Sequence, residues 1–504
     1  MPYPTQVHAV VAGGGIAGAC AAAALAQRGW RVLVVEPGVA HGKRLAGELL
    51  HPPALEDLRA LGLGDALAAA DAQPVEGFAV FLAGDGREQR CLLPYERYSA
   101  SPSGDAARSG EAGPCGRGGG ATVEHGALVS ALGAQLRALP GVTIVAGRVE
   151  RVAHVAGGVV VGIAAAGEHL EVRAELLVAA DGRGSNTRKL AGIGAQRTHL
   201  STMVGLLVDT DTLPCPNRGH IFVGGTGPVL AYAIAPGRVR VMLDIEDAGA
   251  RDLAKAIREP ARLRALPPPF RAAVAASIDR GSASPSGDAA RSGKAGPIET
   301  QRPLVAANLT TIPAALVCGR VVLVGDAAGC CHPVSASGLA SSAADARALG
   351  EALRTHGDID EALAAYQRAR REPHGVRIAL ASALYRAFAE PSPEMTLLRR
   401  GLVDYWVRSP RGRRVSMALL ATQEQRYSKM AGEYARVAGY AVPALVDRRR
   451  PRLPRRKALG GLLASVVPHV RGAVGVLLPA RQPPARPEPA APVEPAPVPE
   501  RIAQ

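Results

Sequence analysis

The stretch VVAGGGIAGACAAAALAQRGWRVLVVE, residues 10–36, decides the fold. Apolar runs at its two ends predict short strands, His8–Ala12 and Arg31–Val35, and the alanine-rich run between them predicts a helix, Ile16–Arg28. A strand, a helix and a second strand in this order form a βαβ unit, and such units build sheets of parallel strands. The stretch therefore predicts an α/β fold.

Three glycines in this stretch have the G-x-G-x-x-G spacing of a dinucleotide-binding turn. Gly13 permits the tight turn, Gly15 lets a pyrophosphate approach the backbone, and Gly18 lets the helix pack closely on the strand. Glu36 ends the second strand, where its carboxylate can accept hydrogen bonds from a ribose. The spacing predicts a dinucleotide site and leaves both FAD and NAD open.

Two later turns follow apolar strands in the same way. In ADGRGSNTRK, residues 180–189, Asp181 begins the turn, and its alternative role is only to cap the helix that follows. In VLVGDAAG, residues 322–329, Asp326 follows a buried strand, where a carboxylate has few purely structural reasons to exist. We expect both turns to reach a ligand, because strands of an α/β sheet deliver such loops to the ligand site.

The patterns along the chain predict a discontinuous first domain. Residues 1–98, 115–198 and 310–390 carry the three turns and are assigned to the dinucleotide-binding domain. Residues 199–309 are rich in β-formers and turn glycines, which predicts a β-rich substrate domain. Helices are predicted over 391–479, and the proline-rich tail 480–504 is expected to be disordered.

A nearly identical segment occurs twice, as SASPSGDAARSGEAGP at 99–114 and SASPSGDAARSGKAGP at 282–297. Its residues are small, polar and turn-forming, so neither copy can build a core of its own. We interpret the two copies as low-complexity insertions that loop from the surface.

The chain is basic, with a formal charge of +15 over 504 residues. Part of this charge lies in DRRRPRLPRRK, residues 447–457, which precedes an apolar run that Pro468, His469 and Arg471 interrupt. A basic cluster beside an apolar segment favours peripheral contact with an anionic membrane surface, whereas the interruptions argue against a transmembrane helix. Nucleic acid is disfavoured as a partner, because no aromatic residues lie among these charges.

The seven cysteines include no CxxC spacing, and the N-terminus enters a strand without a signal-sequence pattern. We therefore expect a cytoplasmic protein, peripheral on the inner face of the membrane if the C-terminal region binds lipid. Cys330, Cys331 and His332 are adjacent, but no second ligand cluster lies near them in sequence. No metal site is predicted, and the thiols are expected to pack within their loop.

At further motifs the chain resembles the class A flavoprotein monooxygenases, and within them the squalene monooxygenase family. RLAGELLHP (44–52) is similar to that family's R-x-x-G-E-x-L-Q-P segment, and LLPY (92–95) to its strand ending in a pocket tyrosine. GDAAGCCHPVSASGL (325–339) is similar to its G-D-A-x-N-x-R-H-P-L-T-G-G-G-M loop. The resemblance covers residues 7–440 apart from the insertions. It implies a Rossmann-type FAD-binding domain, of the glutathione reductase and p-hydroxybenzoate hydroxylase kind, interleaved with the β-rich domain.

The resemblance also implies which residues contact FAD and substrate. Glu36 would lie at the adenosine, Asp326 at the ribityl or pyrophosphate portion, and Leu339 against the isoalloxazine. Tyr95, His332 and Pro333 would border the substrate pocket, although Tyr95 is alternatively a simple strand-end aromatic. The implied FAD contacts are Gly13, Gly15, Ile16, Ala17, Gly18, Glu36, Pro37, Arg44, Leu49, Val149, Asp181, Asp326, Gly338 and Leu339.

The chain departs from the family pattern where the family builds its pocket and flavin surroundings. Ala127 stands at the place of a common cofactor-contacting arginine, and Ala336 and Ser337 stand at the places of glycines. His51 and Pro53 replace Gln and Gly. These changes weaken the inference about the substrate more than the inference about the cofactor.

The resemblance implies oxygen transfer from a flavin C4a-hydroperoxide to a C=C bond, so no catalytic side chain is expected. The implied reaction is squalene to 2,3-oxidosqualene with O2. A tailoring epoxidase or hydroxylase of a polyketide or other lipid-like metabolite, a flavin dehydrogenase or prenyl reductase, and a non-catalytic membrane-associated binding protein are the alternatives. No second G-x-G-x-x-G unit occurs, so either NADPH docks at the flavin or a separate reductase supplies electrons.

Overall fold

The computed structural model describes residues 3–38, 45–84, 87–96, 118–246, 253–280 and 303–446. Both insertions, 99–114 and 282–297, lie outside the described residues. Arg44, the basic segment 447–457 and the rest of the chain to residue 504, which includes the predicted tail, also lie outside them.

Seventeen strands and thirteen α-helices are described. In chain order they are β1 (Gln6–Ala12), α1 (Ile16–Ala26), β2 (Val32–Glu36), β3 (Leu49–Leu50), α2 (Pro52–Ala60), α3 (Asp65–Ala69), β4 (Gln73–Val75), β5 (Gly77–Gly84), β6 (Arg87–Pro94), β7 (Gly120–Thr122), α4 (His125–Ala138), β8 (Val142–Val155), β9 (Gly158–Ala165), β10 (Glu168–Ala179), α5 (Asn186–Leu190), β11 (Ala195–Asp209), β12 (Gly219–Val223), β13 (Val229–Ala235), β14 (Arg238–Ile245), α6 (Leu253–Ala256), α7 (Pro260–Leu263), α8 (Pro268–Arg280), β15 (Leu304–Pro313), β16 (Val317–Cys318), β17 (Val321–Leu323), α9 (Gly338–Thr355), α10 (Ile359–Ala389), α11 (Pro393–Arg408), α12 (Pro410–Leu420) and α13 (Tyr427–Val446).

The first sheet contains the βαβ opening and confirms the predicted α/β fold. β1 lies between β2 and β10 and is parallel to both, and β17 is parallel to β10 on its other side. Strands β8, β9 and β10 form an antiparallel meander within the same sheet. α1 ends at Ala26 rather than Arg28, because the chain turns at Gly29, whose φ is 72°.

Helix α1 packs unusually closely against its neighbours because it consists mostly of alanine. Nine of its 11 residues are buried. A Cβ atom added to Gly350 of α9 would lie 3.1 Å from the Cβ of Ala24 in α1. Small residues on both helices therefore bring α9 to the dinucleotide turn.

A second seven-stranded sheet has the order β15-β11-β14-β13-β12-β5-β6. Strands β12, β13 and β14 are antiparallel, as the sequence predicts for the β-rich domain. One hydrophobic core of this region joins residues of the sheet to helices α10 to α13, and another joins the sheet to α8. A small third sheet consists of β3, β7 and β4.

The second sheet also contains strands from the beginning of the chain. β5 and β6 lie within residues 1–98, and β5 pairs in parallel with β12, which places both strands in the second sheet. β11 and β15 also extend beyond 199–309, to Ala195 and Pro313. Strand pairing is a long-range relationship, so the local pattern of these strands could not reveal it.

Helices α11, α12 and α13 lie within the predicted C-terminal helical region. Across the residues that the structure describes, no helix combines the length and the apolar character needed to cross a bilayer.

Candidate active site

Three turns meet at one edge of the first sheet. Ala12, which ends β1, is paired with Ala179, which ends β10, and Ala179 is paired with Leu323, which ends β17. Backbone hydrogen bonds continue beyond the strand ends, from Ala180 N to Ala12 O (2.8 Å) and from Val324 N to Ala179 O (3.0 Å). The turns that begin at residues 13, 181 and 325 are therefore side by side.

The glycine-rich turn has the shape that a pyrophosphate requires. A Cβ atom on Gly13, whose φ is 102°, would lie 2.6 Å from the carbonyl oxygen of Ala180. One on Gly18 would lie 1.8 Å from the carbonyl oxygen of Gly13, whereas one on Gly15 would meet no described atom within 4 Å. Gly13 and Gly18 thus permit tight packing, and Gly15 borders open space at the N-terminus of α1. This cradle fits an anionic diphosphate, because unpaired helix N–H groups stabilise negative charge.

Glu36 is fixed beside the same turn. Its Oε2 accepts a hydrogen bond from the backbone N–H of Gly14 at 2.6 Å. Val149 is buried in β8, three residues beyond Ala146, which pairs with Glu36. Pro37 follows Glu36 and is exposed. The residues implied to contact adenosine therefore lie around the end of β2.

The other residues that the resemblance implies as FAD contacts lie in different environments. Ile16 is buried and Ala17 half-buried in the first turn of α1. Leu49 is buried in the hydrophobic core that joins the second sheet to the C-terminal helices. Arg44 lies outside the described residues.

Asp181 caps the helix that follows it. Its Oδ1 accepts from the Ser185 hydroxyl at 2.5 Å, and its Oδ2 accepts from the backbone N–H of Thr187 at 2.9 Å. The alternative role predicted for Asp181 is therefore the one that its contacts display. The neighbouring Arg188 is buried and donates to the carbonyl of Ala327 at 3.4 Å, so this turn also supports the turn of Asp326.

Asp326 has a partly exposed carboxylate in the third turn. Its side chain is 36% exposed, and its Oδ2 lies 3.5 Å from Nε of Arg183. A Cβ atom on Gly338, the first residue of α9, would lie 4.0 Å from its Oδ1. The Ser337 hydroxyl pairs with Ser335 Oγ at 2.9 Å rather than capping α9. A carboxylate and an open helix N-terminus therefore lie together.

Leu339 lies at the same place, against the segment that resembles the family's R-x-x-G-E motif. A Cβ atom on Gly47 would be 3.1 Å from Cγ of Leu339. Glu48 is buried next to it and forms a bidentate ion pair with Arg240 of β14, with both distances 2.9 Å. Tyr232 donates to the same carboxylate at 3.1 Å. This ion pair fixes the segment between the two large sheets.

Sequence reasoning missed a buried charge cluster beneath the Asp326 turn. Asp345 of α9 is fully buried and accepts hydrogen bonds from Gly325 N (2.8 Å), Arg370 Nε (2.7 Å) and His374 Nε2 (2.9 Å). Burial alone would raise the pKa of Asp345, but His374 and Arg370 outweigh it and hold the pKa well below its ordinary value. The available signal was an acidic residue two turns into a helix whose first seven residues are all small or apolar.

His51, which stands where the family pattern has Gln, is part of the candidate site. His51 is fully buried, with Nε2 2.8 Å from the Ser335 carbonyl and Nδ1 2.7 Å from the Tyr95 hydroxyl. A carbonyl can only accept, so Nε2 carries the proton and Nδ1 accepts from Tyr95. Burial lowers the pKa of His51 to about 4 and raises that of Tyr95. Tyr95 is thereby oriented through a neutral imidazole.

His332 is enclosed by protein groups. It is 1% exposed, its Nε2 is 2.9 Å from Asp244 of β14, and its ring stacks on Tyr385 at 4.2 Å between centroids. Its Nδ1 accepts from the backbone N–H of Val334 at 3.1 Å. His332 therefore joins the loop to the second sheet, and its role at a substrate pocket stays a prediction. Pro333 is half-buried beside it.

Cys330 and Cys331 pack within the same loop. The Cys330 thiol is 3.2 Å from the carbonyl oxygen of Leu309, and the Cys331 sulfur is 3.8 Å from Nη1 of Arg377. Burial raises the pKa of both thiols, which disfavours the thiolate that metal binding requires. The described part of the chain holds no cluster of three His, Cys, Asp or Glu side chains placed to bind a metal.

An apolar pocket lies among the four C-terminal helices α10 to α13. The space in it that a water-sized molecule can occupy is about 70 Å³. Ten of its fourteen lining side chains are aliphatic or methionine, and the other four are Trp406, Ser416, Glu433 and Tyr434.

Two family models match the chain. The model described as FAD binding domain matches residues 5–239, and the model described as squalene epoxidase matches residues 301–458. The first match contains the glycine-rich turn and Asp181, and the second contains Asp326, α9 and the pocket.

Squalene epoxidases of plants are among the similar proteins. Squalene epoxidase 3 of Arabidopsis thaliana is 29% identical over 418 residues, which cover 80% of this chain and 71% of that protein. Squalene monooxygenase SE2 of Panax ginseng is 26% identical over 484 residues, which cover 93% of this chain and 80% of that protein.

Solved structures share the fold. The p-nitrophenol 4-monooxygenase PnpA of Pseudomonas putida DLL-E4 is 18% identical, with a TM-score of 0.64, and the similarity covers 83% of this chain and 99% of PnpA. The FAD-binding match, the squalene epoxidase match and the fold agree with the geometry of the three turns, which identifies FAD as the cofactor. The chain is thus an FAD-dependent monooxygenase that is similar to the squalene epoxidases.

Proposed function

We propose that this monooxygenase epoxidises a C=C bond of an apolar polyene, with squalene to 2,3-oxidosqualene as the reaction that its relatives suggest. One observation carries the proposal. The region similar to squalene epoxidase contains both the loop of Asp326 and Gly338 and the helices that form the apolar pocket. One segment of chain thus forms part of the cofactor site and a cavity of suitable polarity for a polyene.

Bound FAD supplies the oxygen-transfer chemistry with O2. The chain's own residues bind and orient it. We assign the diphosphate to the turn of Gly13, Gly15 and Gly18, the adenosine ribose to Glu36, and the ribityl or pyrophosphate portion to Asp326. The open N–H groups of α9 at Gly338 would stabilise negative charge on the reduced ring.

Helix α10 connects this loop to the pocket. Arg377 donates through Nη2 to the carbonyl of Gly329, and Leu380, Leu384 and Ala387 line the pocket. At about 1.5 Å of rise per residue, these three side chains lie roughly 5 to 15 Å along the helix axis from Arg377. An extended polyene would place one double bond near the loop and the rest of its length between apolar walls that exclude water.

Two further partners are part of the proposal. Electrons would come from NADPH that docks at the flavin or from a separate reductase. The region 447–479 would contact an anionic membrane peripherally, on the cytoplasmic side. The sequence composition supports this membrane contact, because residues 447–457 hold seven basic residues and one acidic residue beside an apolar run.

The test is product analysis with labelled oxygen. FAD-loaded enzyme, a chemical or enzymatic reductant and squalene are incubated under 18O2, and the products are identified by mass spectrometry. We expect 2,3-oxidosqualene carrying one 18O atom. Reoxidation of FAD without labelled epoxide would overturn the proposal for squalene, and a dehydrogenated or reduced product without label would assign the enzyme to the dehydrogenase or reductase class.

A further inference from the structure

One short helical turn, Pro333–Ser335, directly precedes helix α9, and two of its three residues are buried. Only two residues separate it from Gly338, where α9 begins, and the first of them, Ala336, has a φ of 51°. A residue other than glycine adopts this left-handed conformation only where its surroundings hold it there. The position of the turn therefore sets where the N-terminus of α9 lies.

Two imidazoles bind the backbone of this turn. The N–H of Val334 donates to Nδ1 of His332 at 3.1 Å, and the carbonyl of Ser335 accepts from Nε2 of His51 at 2.8 Å. Because Nδ1 of His332 accepts, its Nε2 carries the proton and donates to Asp244 at 2.9 Å. Both rings are almost completely buried. Each imidazole thus gives the turn one fixed hydrogen bond and makes a second one elsewhere.

The second hydrogen bond of each imidazole leads to a different part of the second sheet. His51 accepts from the hydroxyl of Tyr95, which directly follows β6, and His332 donates to Asp244 of β14. Strands β13, β12 and β5 lie between β14 and β6. One anchor would leave the turn free to rotate about it, whereas two separated anchors also fix its orientation.

From these contacts we infer that His51 and His332 are positioning residues for the flavin: they hold the N-terminus of α9 at the place assigned to the flavin ring. The inference rests on the proposed function, in which the N–H groups of α9 at Gly338 stabilise negative charge on the reduced ring. Each histidine acts through the turn. When the turn is released, reduced FAD loses stabilisation relative to oxidised FAD, and the reduction potential falls.

The test measures the reduction potential of FAD in the full-length loaded enzyme, without substrate, against a reference dye of known potential. His51→Gln keeps both hydrogen bonds, because its amide can donate to Ser335 and accept from Tyr95, whereas His51→Leu loses both. We expect His51→Leu to weaken the binding of reduced FAD about tenfold relative to oxidised FAD, which lowers the two-electron potential by about 30 mV. In His51→Gln this ratio should stay within about twofold of wild type.

A second pair of variants tests the other anchor without changing the turn or its histidine. Asp244→Asn keeps an oxygen that accepts from His332, and Asp244→Leu has similar bulk and no acceptor. Asp244→Leu should lower the potential by the same amount, about 30 mV for a tenfold change. Asp244→Asn should leave it near the wild-type value.

His220→Leu is the matched control. His220 is a buried histidine of β12 that accepts from the backbone N–H of Cys215 at 3.2 Å, and its ring stacks on Phe81 and Phe222. These contacts lie outside the turn. The variant should therefore melt at a lower temperature than wild type and keep the wild-type potential, which separates a loss of stability from a loss of positioning.

Unchanged potentials in His51→Leu and Asp244→Leu, or an equal fall in His220→Leu, would each overturn the inference. Equal falls in both members of a pair would do the same, as would loss of FAD from the members that keep the hydrogen bonds. If a leucine variant does not bind FAD, Tyr95→Phe replaces it, since this change removes only the hydroxyl that His51 accepts from; an unchanged potential there contradicts the inference.

The measurement needs no substrate, so it is independent of the test of the proposed function. Labelled epoxide from squalene together with unchanged potentials in the variants refutes the inference alone. Lowered potentials in the leucine variants without labelled product from the wild type refute the proposed function alone.

Discussion

The carboxylate of Asp345 accepts a hydrogen bond from the backbone N–H of Gly325 at 2.8 Å. Gly325 has a φ of 62° and directly precedes Asp326. Asp345 is bound on its other oxygen by Arg370 and His374 of α10. A single buried side chain therefore ties the turn of Asp326 to α9 and α10.

Asp345→Asn is expected to weaken FAD binding about tenfold and to lower the free energy of unfolding by about 3 kcal/mol, because it leaves Arg370 buried without its counter-ion. Flavin fluorescence titration of the apoprotein measures the first effect, and urea denaturation measures the second. Asp57→Asn is the control, since it removes an ion pair with Arg347 (2.8 Å) that does not involve Gly325. An equal loss of FAD affinity in both variants would contradict the positioning role.

Gly15→Ala and Gly18→Ala should separate cofactor binding from folding. A Cβ on Gly18 would lie 1.8 Å from the carbonyl oxygen of Gly13, so this variant should unfold at a clearly lower temperature. A Cβ on Gly15 meets no described atom within 4 Å, so the apoprotein should keep its melting temperature and lose FAD affinity. Thermal melts of both apoproteins, with FAD titrations, check this. Unchanged FAD binding in Gly15→Ala would disprove the cradle.

Burial lowers the pKa of His51 from 6.5 to about 4, which makes stability depend on pH. Between these values the unfolded chain takes up a proton that the folded chain does not. The contribution of His51 to stability is therefore complete above pH 6.5 and is lost as the pH falls toward 4. Between pH 7.5 and pH 5, the free energy of unfolding of the wild type, measured by urea denaturation, should fall by about 2 kcal/mol more than that of His51→Gln. Parallel pH profiles would show that His51 is not the titrating group.

Replacing both Cys330 and Cys331 by alanine should leave the FAD dissociation constant within about twofold, because the thiols contact protein groups, the Leu309 carbonyl and Arg377. The unfolding free energy should fall by about 1 to 2 kcal/mol, through lost packing and the lost contact of Cys330 with Leu309. Flavin titration and elemental analysis of both proteins check this. Metal that is present in wild type and absent from the double variant would overturn the assignment of these thiols to packing.

The local sequence pattern was sufficient to predict the three turns and the antiparallel strands of the β-rich region. The G-x-G-x-x-G spacing and the two Asp-containing turns are each specified by residues within a few positions of one another, and strand ends at one sheet edge bring them together. The role of Asp181 was harder to predict from the sequence, because its capping contacts with Ser185 and Thr187 depend on the geometry of the turn.

The contacts of His332 could not be predicted from local pattern. Asp244 and Tyr385, which enclose it, are distant in sequence. The assignment of β5 to the second sheet has the same cause, because its partner β12 lies beyond more than a hundred residues of chain.

The residues alone thus predicted a dinucleotide cofactor, the α/β opening and the three turns, because each depends on neighbours in sequence. Folding decided which polar groups support those turns and which side chains form the pocket. His51 contacts Ser335 across 284 positions, and Asp345 meets His374 only because α9 and α10 pack together. Such contacts arise from long-range packing, and no spacing in the chain encodes them.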